Sequence, residues 1–193
     1  MTRIFSSLAV FALVCLLATF ALGWSLRSGN MHDVKDVATQ KLGTIHRLAG
    51  IATGVCVILV DSIVVTYFIG TSRWCKEVVE TYKLDAQLIT RANRLKRRTF
   101  PIAVVSMLIA VSIVALGGAA DPGAIMPKPE AALHTSLLAD VSWRDIHLVV
   151  AMVGILAIVY GFYLAWNNIQ ENHEIIGEVL TDVKHIRTER GLD

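Results

Sequence analysis

Cysteine gives this chain no framework. There are three, Cys15, Cys56 and Cys75, and no CxxC or CxxCH spacing links them. A disulfide scaffold, a thiolate zinc site and covalent c-type haem attachment are therefore unsupported. The three read as small buried hydrophobes. Proline is almost as scarce, with three of its four copies in DPGAIMPKPE (121–130). That stretch is expected to be an irregular connection, because proline blocks both helix and central strand. The fourth, Pro101, is expected in the first turn of a helix, where its missing N–H costs little. A phosphate-binding glycine loop, a nucleophile elbow and an HExxH motif are also missing. No catalytic residue is assigned, and the chemistry allowed is at most that of an electron-transfer subunit.

Charge is missing too, from four long stretches. The chain is 54% hydrophobic over 193 residues, with a mean hydropathy of +0.58. Its apolar residues are blocked into runs at about 4–24, 46–70, 101–119 and 146–166. Each reaches the roughly 20 residues that a membrane-spanning helix needs. The expected fold is all-α: one integral membrane domain over 1–193, a four-helix transmembrane bundle with no separate soluble domain. The first run is read as a retained helix. It is long for a signal peptide, and the repeat described below gives it a counterpart.

Lys and Arg set the expected orientation. Residues 73–98 carry eight, and Arg3, Lys184, Arg187 and Arg190 fall on the same side, making twelve against six. The positive-inside rule then puts both termini in the cytoplasm of a plasma (inner) membrane. The basic stretch ANRLKRR (92–98) suits anionic lipid headgroups rather than nucleic acid. Tyr160, Tyr163 and Trp166 read as an interfacial belt.

Two halves share one order: span, outer loop, Ile-His, span, amphipathic helix. A shift of 101 aligns Ile45-His46 with Ile146-His147, and Glu77-Val78 with Glu178-Val179. A shift of 94 aligns Ala21-Leu22-Gly23 with Ala115-Leu116-Gly117. Two tandem helix hairpins are expected, as parallel repeats about an axis along the membrane normal. The second and fourth membrane helices are expected to continue into the cytoplasm as helical extensions, about 71–98 and 167–190. WCKEVVETYKLDAQL carries one stripe through Trp74, Val78 and Tyr82. The tail carries another through Ile169, Ile176 and Val183, with Val179 and Ile186 between. The stripes are expected to pack on each other rather than on a partner.

His46 and His147 then share a depth near the outer face, on helices pointing the same way. One helical turn and two turns further on lie Ala49, Gly50, Thr53 and Gly54 under His46, and Val150, Ala151 and Gly154 under His147. Small residues there leave a slot for a flat macrocycle, or let another helix approach closely. Arg47 and Arg144 lie beside the histidines and suit carboxylate partners.

These residues give the chain an architecture that resembles the four-helix b-type membrane cytochromes. The likeness covers residues 1–168 and rests on Ile45-His46, Ile146-His147 and the glycines below them. It implies one haem b near the outer face, with His46 and His147 as axial ligands and Arg47 and Arg144 on its propionates. It also implies electron exchange between a quinol or membrane partner and an extracytoplasmic carrier. Other membrane subunits, or further copies of this chain, are the expected company. One haem alone does not complete a transmembrane electron path. A competing arrangement adds His32 and His134 of the outer loops to form an outward site for copper or another metal. A scaffold subunit with no cofactor is a further alternative. Asp61, inside VCVILVDSIVVTYF, is a proton or quinone candidate, because ionisable groups in a span are functional candidates by default. It is expected to face the bundle, beside Ser62, Ser106 or Ser112.

Overall fold

A computed structural model describes residues 2–26, 37–121, 124, 127–133 and 140–191, the side chain of Glu130 excepted. Among the described residues the structure is all helical: α1 (Thr2–Ser25), α2 (Val37–Tyr82), α3 (Gln87–Ala119), the short α4 (Pro129–Ala132) and α5 (Trp143–Glu189). Helices α1, α2, α3 and α5 are long and apolar enough to cross a membrane. Only 17–33% of each apolar window is buried inside the molecule. The rest of that surface, with Phe11, Val14, Leu108 and Val153 exposed on it, needs apolar surroundings.

The helices form a ring. α2 packs on α1 and α3, α5 packs on α3 and α1, and α2 and α5 also touch across the middle. A buried stripe built mainly on three- and four-residue spacing holds each helix in place. On α3 it runs Leu88, Ala92, Leu95, Thr99, Ala103, Ser106, Ala110. On α5 it runs from Ala151 through Ile158 and Ala165 to Ile175 and Val179. Phe5 ties α1 to α5 by an edge-on contact with Phe162, ring centroids 6.1 Å apart.

At about 1.5 Å per residue, the 46-residue α2 is about 69 Å long, more than twice a hydrocarbon core of about 30 Å. Its far part, with the start of α3 and the end of α5, forms a charged end packed on itself. Cys75, Val79, Leu88, Leu95, Ile169, Ile175 and Val179 make its core. The tail's inner face differs from the Ile169, Ile176, Val183 stripe expected of it. Ile176 and Val183 are half-buried, while Asn172 and Ile175 are buried. Asn172 earns that place by donating to Tyr67 Oη at 2.9 Å and Thr71 Oγ1 at 3.2 Å.

Two boundaries also differ. The helical extension expected over about 71–98 is broken at 83–86. Lys83 takes a left-handed φ of 56°, and Leu84 N–H bonds back to the Val79 carbonyl at 3.0 Å, a Schellman ending. Asp85 then accepts from Gln87 N–H at 2.8 Å and opens α3. Pro101 therefore lies inside α3, not in its first turn. Helix packing on both sides of it, at Thr99 and Ala103, outweighs the hydrogen bond it cannot make. α5 begins with a capping box. Ser142 Oγ accepts from Asp145 N–H, and Asp145 accepts from Ser142 N–H, which satisfies two otherwise open donors.

Lys83→Gly should raise stability by about 1 kcal/mol, since a side chain at left-handed φ costs roughly that much. A higher midpoint of thermal unfolding in detergent is the check. Arg91 clamps Glu178 through two bonds, 2.5 and 2.9 Å, and this hydrogen-bonded guanidinium holds the carboxyl below the usual range. A lowered carboxyl contributes stability above its unfolded pKa and loses it as pH falls through the folded one. Glu178→Gln should therefore cost about 1 kcal/mol or less at neutral pH, the pair being exposed. The gap from wild type should close on acidification, as read from unfolding midpoints against pH.

Candidate functional site

At the opposite end from the charged core, the four long helices surround a cavity of about 800 Å³, within the range of small-molecule and cofactor sites. His46 of α2 and His147 of α5 both line it. Their ring centroids are 6.4 Å apart and their planes cross at 72°.

Each imidazole is seated on a glycine, His46 on Gly23 of α1 and His147 on Gly117 of α3. A Cβ added at Gly23 would lie 2.7 Å from His46 Cε1, and one at Gly117 would lie 3.2 Å from His147 Cε1. No other residue lets the rings lie there undisturbed. His46 Nδ1 sits 3.0 Å from the Thr19 carbonyl. A carbonyl only accepts, so Nδ1 carries the hydrogen and the neutral ring keeps its lone pair at Nε2. On the other side the backbone of Ile113 lies against His147, whose Nδ1 is buried without a completed hydrogen bond. Thr19 and Ile113 stand 94 residues apart, as do Gly23 and Gly117.

A second layer lies deeper. Thr19 Oγ1 meets Thr53 Oγ1 at 3.1 Å. At the matching place of the other pair of helices, Ile113 fills the space over Gly154, 2.8 Å from an added Cβ. Gly154 is therefore a packing residue, filled by Ile109 and Ile113, and does not line the cavity. Gly54 lines the cavity but also receives Val114. Gly50 and Ala151 line it as well, with only Thr19 near Gly50.

Charged groups rim the site. Arg47 is ion-paired with Asp121 at the end of α3, and its Nη2 donates to Thr44 at 3.1 Å. Arg144 Nη2 donates to the Leu26 carbonyl at 2.7 Å, tying the start of α5 to the end of α1. Both arginines line the cavity. His32 and His134 lie outside the described residues. Among the described residues no group of three or more His, Cys, Asp or Glu is placed to hold a metal ion.

Asp61 lies fifteen residues along α2 from His46, or about 22 Å of helix, and seven residues beyond Gly54, where the cavity lining on α2 ends. It is 2% exposed and faces Ser106 of α3. The contacts missing from the sequence reading are Gly23, Gly117 and the Thr19 carbonyl. The signal was present in the matched Ala-Leu-Gly triplets, which marked a repeat without showing that its glycines meet the histidines. Comparison with protein-family models, with curated proteins and with solved structures finds no match.

The seating glycines make a graded prediction. Gly23→Ala should destabilise by about 1–3 kcal/mol, the usual range for overpacking. Gly117→Ala should cost less, its contact being looser. Gly70→Ala, with nothing within 4 Å, should be close to neutral. Thermal unfolding of the three variants gives the order.

Proposed function

We propose that this chain is a small membrane electron-transfer protein that holds one b-type haem between His46 and His147. The observation that carries the reading is the 6.4 Å spacing of the two rings. A metal–imidazole bond is about 2 Å, and a ring centre lies roughly 1 Å behind its nitrogen. Two rings on opposite sides of one metal therefore need centres about 6 Å apart. Their 72° crossing is compatible, because a ring turning about its own metal bond keeps its ligand atom in place.

Other features support the fit. Two imidazoles are too few for a bare copper or zinc site but match an iron whose remaining ligands come from a macrocycle. The Thr19 carbonyl holds His46 in the tautomer that presents Nε2. Gly23 and Gly117 set how far each ring stands from its helix. The lining is mostly apolar, and Arg47 and Arg144 stand at its rim as cations for the carboxylates of the group. When bound, the haem supplies reversible one-electron chemistry. The protein's part is ligation, orientation and tuning of potential.

The wider reading follows from the same features. The paired contacts, Gly23 on His46 with Gly117 on His147 and Thr19 on Thr53 with Ile113 on Gly154, favour a tandem duplication of helix hairpins. The Lys/Arg bias favours a cytoplasmic charged end and a site near the outer face. Its electron partners are then a quinol or another membrane subunit, and an extracytoplasmic carrier.

Protein purified after expression with ample haem should show a Soret band and, with dithionite, a six-coordinate low-spin spectrum. His46→Ala and His147→Ala should each abolish that spectrum while leaving the helical content intact. Wild-type protein without a Soret band overturns the reading.

A further inference from the structure

We propose that Asp61 and Ser106 form a proton-holding site inside the bundle, reached from the charged end of the molecule. The proposal stands apart from the histidine cavity and holds whether or not iron binds there. Asp61 is 2% exposed and Ser106 3%. Ser106 is the polar side chain set against the carboxyl, yet Asp61 Oδ2 and Ser106 Oγ are both buried without a completed hydrogen bond.

What surrounds the pair decides its ligand. Between Arg3 and Leu26, α1 has one titratable side chain, Cys15. Between Arg47 and Arg73, α2 has Cys56 and Tyr67 besides Asp61. Between Arg98 and Asp121, α3 has none. Between His147 and Glu171, α5 has only Tyr160 and Tyr163, both exposed. No Lys, Arg or His stands in any of these stretches, so no cation balances a carboxylate. A buried carboxylate without a counter-charge neutralises by taking a proton. Two oxygen-bearing side chains are also too few for a hard metal ion, which takes six or more oxygen ligands. A proton needs one, and Asp61 holding it donates to Ser106 Oγ.

The way in is asymmetric. Toward the histidines, Val57 and Val60, 0% and 1% exposed, close the core between Asp61 and Thr53. Toward the charged end, buried polar pairs recur: Asn168 donates to Thr99 at 2.9 Å, Asn172 to Tyr67 and Thr71, and Ser72 to Asn93 at 3.1 Å. Ser106 and Thr99 are two turns apart, about 10 Å, with the small residues Ala103, Gly161 and Ala165 buried at that level. The exchange is simple acid–base chemistry. The Asp61 O–H bond breaks, a water from the charged end carries the proton to solvent, and a solvent proton delivered the same way re-forms the O–H bond.

Infrared spectra of the full-length protein in lipid nanodiscs, moved from H2O to D2O, test this. The expected result is the C=O band of a protonated carboxylic acid that shifts in D2O and is missing in Asp61→Asn. Ser106→Ala, which removes only an oxygen, should move that band. Thr99→Val should slow its exchange several-fold, and Thr53→Val should leave the rate unchanged. An Asp61→Asn difference at carboxylate frequencies alone overturns the site, and an unmoved band in Ser106→Ala overturns the pairing. Equal exchange rates in the two threonine variants, or slowing in Thr53→Val alone, overturn the route.

Discussion

In apolar surroundings water does not drive one helix against another, so close fit between surfaces has to hold the bundle. Everything else here depends on that fit. Val114 presses into Gly54, and Ile109 and Ile113 press into Gly154. Alanine recurs along the buried stripe of α3 and on the inner face of α1. The helices come close enough that α2 and α5 meet across the ring as well as packing on their neighbours. Without that approach the two histidines would not share a cavity, and the buried polar side chains deeper in the molecule would not reach one another.

The same closeness decides how polar groups are treated. Near the charged end, hydroxyls and amides pair across helices: Asn168 with Thr99, Asn172 with Tyr67 and Thr71, Ser72 with Asn93. Such pairing relieves the desolvation each group would otherwise suffer. Asp61 with Ser106, and Nδ1 of His147, depart from this pattern. Unsatisfied groups in an otherwise satisfied core mark places where packing is not the whole account.

The four membrane-length helices were legible in the sequence because charge is absent from long runs, and length and composition suffice to show it. The burial of Asp61 was legible because fifteen residues at about 100° each put it within about 60° of the face that carries His46. What was hidden depended on contacts between helices. Ile176 was expected on the inner stripe because heptad spacing counts apolar residues. The structure instead buries Asn172, whose amide has partners 101 and 105 residues away. Gly154 is one of the small residues expected either to leave a slot or to let another helix approach, and Ile109 and Ile113 of α3 approach it. The turn at Lys83 carries no glycine, so the usual mark of a helix ending was missing. In DPGAIMPKPE, proline density did show a break, which falls between α3 and α5.

The turn at 83–86 has a mechanical consequence. It joins α2 to α3 at the end farthest from the histidines, while α1 and α3 end, and α2 and α5 begin, toward the histidine end. From Tyr82 back to His46 is about 54 Å of helix. One degree of opening between α2 and α3 at that turn would move the His46 end by about 1 Å. A shift at that turn is thus magnified toward the imidazoles except where contacts such as Val114 in Gly54 hold α2 to α3, and the Arg91–Glu178 clamp and the side chains around Val79 and Val179 sit next to the fulcrum.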